Sequence, residues 1–313
     1  MEDRPYRIDW DYSIMNGRVI SIRDRRRNGM SAVHPVSAVA PEPDIERVRQ
    51  ALTNRFAVAK ALESDSEIER YLARDMRGES IQLKVLSPRA THDVRARELF
   101  YLSAQAASKL SHINILATSN AEQVHGVDFC VLEHKQDAQP LVDLLDRNGW
   151  LDVKVAAGVA DQIAGALDHA HQTGVLHLAL QPECILIEPD GWVTVADFGI
   201  EAPLVSLCSR GSRAPYASPE QLMGKTIDHR SDLYSLGAVL YEMLTDRTPF
   251  DSDDADYVRQ KQESFTPSPP HLISMDVPES VSNVVMRLLE REPASRFETA
   301  SAFQKALDDA VNY

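Results

Sequence analysis

Residues 174–187 read Gly174-Val-Leu-His177-Leu-Ala179-Leu-Gln181-Pro-Glu-Cys184-Ile-Leu-Ile187, and Asp197-Phe198-Gly199 follows. Upstream, Val155, Val159, Ile163, Ala166, Leu167 and Ala170 form one apolar stripe at helical spacing, which predicts a helix over 152–173. Gly174 is placed to end that helix in a left-handed conformation. Downstream, short strands at Ile185–Ile187 and Val193–Ala196 flank a turn at Pro189-Asp190-Gly191. The stretch is therefore a long helix, a polar loop, a hairpin and a second loop carrying Asp197.

Further along come Gly211-Ser-Arg-Ala-Pro-Tyr-Ala-Ser218-Pro219-Glu220, then Ser231-Asp232-Leu-Tyr-Ser-Leu-Gly237, then Arg296-Phe297. Ser231 and Asp232 can cap a helix carrying Leu233, Leu236, Leu240, Met243 and Leu244. Two more helices are expected near 281–291 and 297–311. Before Pro140 the pattern differs. A short helix at 44–54 precedes strand-like runs at Phe56–Leu62, Tyr71–Arg74 and Ile81–Leu86. A helix over Asp93–Lys109 follows, then strands at Ile113–Ala117 and Asp128–Leu132. The layout is α+β: a small antiparallel β lobe with one main helix, then a larger, mostly α-helical lobe.

Composition sets outer bounds. The 313 residues carry 33 Lys plus Arg and 47 Asp plus Glu, for a net charge of −14. That balance argues against a protein that coats nucleic acid, so no nucleic-acid partner is expected. No run approaches the ~18 apolar residues of a membrane span. Cys130, Cys184 and Cys208 form neither a C-x-x-C pair nor an even set, and the N-terminus lacks the features of a secretory signal, so the expectation is cytoplasmic. Residues 1–43 read as a loosely ordered extension and linker. Arg23, Arg25, Arg26 and Arg27 could bind an anionic surface, though a solvated tail is the plainer reading. Met30 offers an alternative start.

Taken together, the motifs at 174–187, 197–199, 211–220, 231–237 and 296–297 resemble those of a protein kinase, closest to the bacterial serine/threonine kinases. The resemblance covers about residues 56–311, with a small lobe at 56–133 and a large lobe at 134–311. It implies a two-lobed protein kinase-like fold with a nucleotide cleft between the lobes. It also implies roles. Lys84 matches the phosphate-pairing lysine, Asp197 a magnesium ligand, Leu132-Glu133-His134 the gatekeeper and hinge, and Leu186 the apolar floor under the base. His177, Phe198, Gly199, Asp232 and the Glu220–Arg296 pair match architectural positions.

The departures fall in the chemistry. Ala179 stands where the family holds the aspartate beside the attacking hydroxyl, and alanine cannot accept a proton. Gln181 replaces a lysine and Cys184 a metal-binding asparagine, and a neutral thiol suits magnesium poorly. Ser103 replaces the glutamate that pairs with the lysine, and Glu98 lies on another helical face. Aligned on the glycine-rich hairpin, Glu63, Asp65 and Ile68 stand at the three glycines, in a run of acids from 63 to 69 facing either the phosphates or solvent. Arg70 and Gln82 occupy two base-contacting positions that are small and apolar in the family. With Leu178 replacing the loop arginine, phosphorylation of Ser206, Ser209 or Ser212 has no cation to engage.

These departures set the expectations. The chain is expected to be no enzyme but a catalytically impaired kinase-like domain, acting as a regulatory or scaffolding module for a protein partner. Lys84 is expected to pair with Asp197 in a closed cleft, with weak or no ATP binding and no cofactor. The alternative is an atypical active serine/threonine kinase using ATP with magnesium. The front of the chain, about 45–55 residues, is expected to be dispensable.

Overall fold

The computed structural model describes residues 44–62, 67–199 and 214–312. The expectations for residues 1–43, for Glu63 and Asp65, and for Ser206, Cys208, Ser209, Gly211 and Ser212 lie outside these.

The small lobe opens with a helix, α1 (Ile45–Leu52), capped by Asp44, whose side chain accepts from Arg47 N. Strands β1 (Ala57–Ala61), β2 (Ile68–Arg74) and β3 (Ser80–Leu86) follow. After a one-turn helix, α2 (Pro88–Thr91), comes the main helix α3 (Val94–Ala107), whose cap Asp93 accepts from Arg95 N and Ala96 N. Strands β4 (Glu122–Val124) and β5 (Val127–Glu133) complete an antiparallel sheet in the order β1-β2-β3-β5-β4. Residues 113–117 do not form the expected strand. Ile115 makes only an isolated bridge to Val195, and the fourth strand lies further on at 122–124.

Strand alternation sorts this sheet into two faces. Tyr71, Ala73, Ile81, Leu83, Val85 and Phe129 point one way and bury against Val48, Ala51 and Leu52 of α1. The other face looks towards the large lobe and carries Arg70, Leu72, Gln82, Lys84, Cys130 and Leu132. The helix at 45–52, counted in the front expected to be dispensable, therefore covers one face of the sheet. Helix α3 is tied to β5, where the buried Asp128 carboxylate accepts from Arg97 Nη2 (3.0 Å) and the Tyr101 hydroxyl (2.7 Å).

The large lobe begins with a two-residue strand, β6 (Gln139–Pro140), and helices α4 (Leu141–Asn148) and α5 (Val153–Gln172). Helix α5 buries its expected stripe. It stops at Gly174, whose φ of +76° suits a residue without a Cβ. A 3-10 turn (Pro182–Cys184) leads into β7 (Ile185–Ile187) and β8 (Val193–Val195), which pair antiparallel. Helices α6 (Pro219–Leu222), α7 (Arg230–Thr245), α8 (Ala255–Ser264), α9 (Glu279–Leu288) and α10 (Ala300–Val311) finish the lobe. Helix α7 is buried along almost its whole length. Its Gly237 lets α9 approach so closely that a Cβ there would lie 2.6 Å from Leu288 Cβ. Ser231 and Asp232 do not cap α7. They lie inside its first turn, both fully buried, and serve the site instead. Among the described residues no helix is long and apolar enough to cross a membrane.

Candidate active site

The site forms where the inner face of the sheet meets the 174–199 stretch. Lys84, on β3, is buried, and its Nζ makes a very short charged contact with Asp197 Oδ1. Asp197 holds φ at +71°, a left-handed conformation that costs free energy and turns its carboxylate up to the sheet. Burial pushes the Lys84 ammonium down to about 8, against the upward pull of Asp197. For Asp197, burial raises the carboxyl, but Lys84 and Arg70 together outweigh it, and the net direction is down. Burial thus works against the charge on Lys84, while Lys84 and Arg70 hold Asp197 ionised. Arg70, two residues along β2 from Leu72, sits near enough to act on both.

The loop below is held through its backbone. Asp232 accepts from His177 N (2.9 Å) and from Leu178 N (2.7 Å), and its Oδ2 also meets His171 Nε2 at 2.8 Å. This is why Asp232 is fully buried yet satisfied. The His177 ring packs on Phe198 with centroids 4.6 Å apart, and its Nε2 lies 2.9 Å from Ala196 O. His177 is thereby a strut between the two loops.

Ala179 and Gln181 are half-buried on this loop. The Cys184 thiol turns inward, donating to Gln181 O at 3.0 Å, while Gln181 N donates back to the sulfur at 3.3 Å. Cys184 thus closes the 3-10 turn and presents no oxygen. Among the described residues no group of three or more His, Cys, Asp or Glu side chains is placed to hold a metal ion. A magnesium ion held mainly by phosphates needs only one or two carboxylates from the protein, and Asp197 is the carboxylate that lies beside Lys84.

Ser103 sits on α3 beside the Asp197 loop, since a Cβ at Gly199 would lie 4.0 Å from Ser103 Cβ. Glu98 is exposed on another face of α3. No carboxylate of α3 therefore takes the position where the resemblance puts the lysine's partner. The acid run proves different from its reading in sequence. Glu69 faces away from the cleft, accepting from Arg47 Nη2 at 2.7 Å and from the Tyr71 hydroxyl at 2.9 Å. Glu67 is buried as well, so neither is a solvated tip residue and Glu69 opposes no phosphate.

Where the resemblance places the base, Leu132 is buried above and Leu186 half-buried below, with Glu133 exposed at the hinge. Gln82 Nε2 lies 3.2 Å from His134 Nδ1. This contact spans residues far apart in sequence, and no local signal announces it. Away from the cleft, Arg296 forks onto Glu220 at 2.7 and 2.9 Å, and Ser231 Oγ donates to the same carboxylate.

Comparison with known proteins bears on what this arrangement is for. The chain is 30% identical over 272 residues to the serine/threonine-protein kinase PrkC of Bacillus subtilis, a match covering 85% of this chain and 42% of that one. It is 33% identical over 270 residues to PknB of Mycolicibacterium smegmatis, covering 82% and 43%. The chain thus spans about two fifths of the length of these curated relatives. The crystal structure of the Mycobacterium tuberculosis PknI kinase domain superposes with a TM-score of 0.67 at 26% identity, covering 82% of this chain and 96% of that one. These relatives are named kinases at about 30% identity, and they overturn the expectation, drawn from the loop residues, that the chain is not an enzyme. The protein kinase domain family model matches residues 68–307, so the chain belongs to the protein kinase domain family.

Proposed function

We propose that this chain is an atypical serine/threonine protein kinase domain that transfers phosphate from ATP to protein hydroxyls without a carboxylate beside the attacking oxygen. The observation that carries this reading is the buried Lys84–Asp197 pair at the meeting of the two lobes, on a chain whose named relatives are serine/threonine kinases. ATP with magnesium supplies the phosphoryl group in such a reaction. The residues on hand fit that cofactor. Lys84 and Arg70 would hold phosphate oxygens, Asp197 would hold one magnesium ion, and Leu132 and Leu186 would flank the base. For this, Lys84 and Asp197 must part, each exchanging its partner for a charge of the cofactor.

Phosphoryl transfer passes through a loose transition state in most analyses, so positioning and charge neutralisation do most of the catalysis. The missing base at Ala179 then slows the reaction by ~10²–10⁴-fold without abolishing it. Gln181 and Cys184 lower the rate further, and their effects are not multiplicative because such groups act as a unit. The partner is a protein substrate bearing a serine or threonine hydroxyl.

A labelled-ATP transfer assay with magnesium tests the reading, using a general protein substrate and the intact chain. Slow transfer that is lost in Asp197→Asn is expected. Incorporation no greater in the unaltered chain than in Asp197→Asn overturns it.

A further inference from the structure

We propose that the hydrogen bond between Gln82 and His134 is a bar across the base slot, and that Gln82 sets nucleotide affinity because it must swing clear before a purine enters. The inference rests on the kinase reading above and gives that site a further affinity-determining residue.

The register places Gln82 opposite Leu72 of β2 on one side and Leu132 of β5 on the other. It lies two residues before Lys84 on the same face of β3, which is the face that meets Asp197. Its side chain therefore hangs from the roof of the cleft. His134 lies two residues beyond Leu132, at the hinge, and is half-buried. The 3.2 Å contact thus runs from roof to hinge. Between roof and hinge is where a base must slide against Leu132 and Leu186.

The chemistry of the two groups holds the bar shut. Burial pushes the His134 imidazole down from its ordinary value, and the nearby Lys60 ammonium pushes it the same way, so the ring is neutral around pH 7. A neutral ring offers Nδ1 as an acceptor, and the Gln82 amide is the donor that fills it. Displacing the amide breaks this hydrogen bond and leaves half-buried polar atoms to find new partners. The apolar faces of a base make no hydrogen bond in return, and only its edge can. Lys60 and Arg70 stand on the same side of the sheet.

The test is ATP with magnesium, titrated by calorimetry into the full chain, Gln82→Ala, His134→Ala and the double variant. Thermal unfolding of each confirms that it is folded. Losing one hydrogen bond that must break on entry should tighten binding by roughly five- to tenfold in each single variant. The double variant should bind no tighter than the singles, because both changes remove the same bond. Binding by the variants alone, with none by the unaltered chain, also supports the bar. If the unaltered chain binds ATP and neither single variant binds it more tightly, the bar is refuted and the kinase reading stands. If no form binds at 5 mM, roughly the concentration at which millimolar affinity would show, both fall. Additive gains in the double variant would show two separate obstacles and overturn the single bar.

Discussion

Lys84 and Asp197 share a buried charged contact, and burial pushes the lysine's ammonium down to about 8. A phosphate needs that ammonium charged. Below pH 8 the free protein already carries the proton. Above it, binding must first restore the proton, and affinity falls by up to ~10-fold per pH unit. ATP affinity measured from pH 6.5 to 9.5 should therefore be flat and then drop through about 8. Lys84→Arg, whose guanidinium keeps its charge, should flatten the curve. A drop of the same size in Lys84→Arg would assign it to another group.

The helix before the family-matched region is tied to the sheet by Arg47 and Glu69. The Arg47 side chain is 24% exposed and that of Glu69 only 8%. Arg47→Ala leaves Glu69 buried with the Tyr71 hydroxyl as its remaining donor. The expected loss is about 1–3 kcal/mol, below that of a fully buried pair because Arg47 keeps some contact with water. Denaturant unfolding reads it directly. Glu69→Gln should cost less, since the charge it leaves unpaired is that of Arg47, which keeps some contact with water. A chain beginning at residue 56 should lose more than either, because Val48, Ala51 and Leu52 bury an apolar face there.

Much of this was legible before any coordinates. Helix α5 and the hairpin after Cys184 follow from spacing alone, since a buried stripe and a Gly174 stop leave one solution. The motifs from His177 to Arg296 placed the lobes. What sequence could not show is which face a residue takes when its strand begins earlier than its apolar run. Glu69 looked like part of an acidic tip because β2 was expected to start at Tyr71, whereas it starts at Ile68. A shift in where a strand begins decides which side chains alternate into the cleft. Asp232 has the residue type and position of a cap. Its real partners, His177 N and Leu178 N, lie 55 and 54 residues away. The Gln82–His134 contact is of the same long-range kind. The departures at Ala179 and Cys184 were plain as residue types, but residue type alone does not decide what they mean for activity.

The Glu220–Arg296 fork is nearly sealed from water and ties α6 to the segment before α10. Burial raises the Glu220 carboxyl, but hydrogen bonds from Arg296 and Ser231 more than reverse this, so its pKa is lowered. A lowered carboxylate contributes stability that is complete above its unfolded pKa and is lost as the pH falls through the folded one. Arg296→Met should cost about 3–5 kcal/mol, because the buried Glu220 must then either keep its charge or take up a proton without its guanidinium. In a domain of this size that is a fall of roughly 6–20 °C in Tm. A loss under 1 kcal/mol, about the median worth of an exposed pair, would show the fork to be solvated. Glu220→Gln in the Arg296→Met background should recover part of the loss by removing the stranded charge.

Ser103 offers a way to release Asp197 without touching it. Its side chain sits on α3 next to the Asp197–Gly199 loop, and the helix is anchored at its other side by Arg97 and Tyr101 on Asp128. Helix α3 cannot easily swing away, so a longer acid at position 103 must extend towards Lys84 or force the loop to shift. Ser103→Glu should therefore give Lys84 a second carboxylate, raise its pKa and leave Asp197 freer to take magnesium. Two readouts should move together. The pH at which ATP affinity falls should rise above about 8, and the dependence of affinity on magnesium should steepen. If affinity and its pH midpoint stay where they were while the variant remains folded, the new carboxylate has not reached Lys84. The absence of a partner from α3 would then not be what holds Lys84 on Asp197.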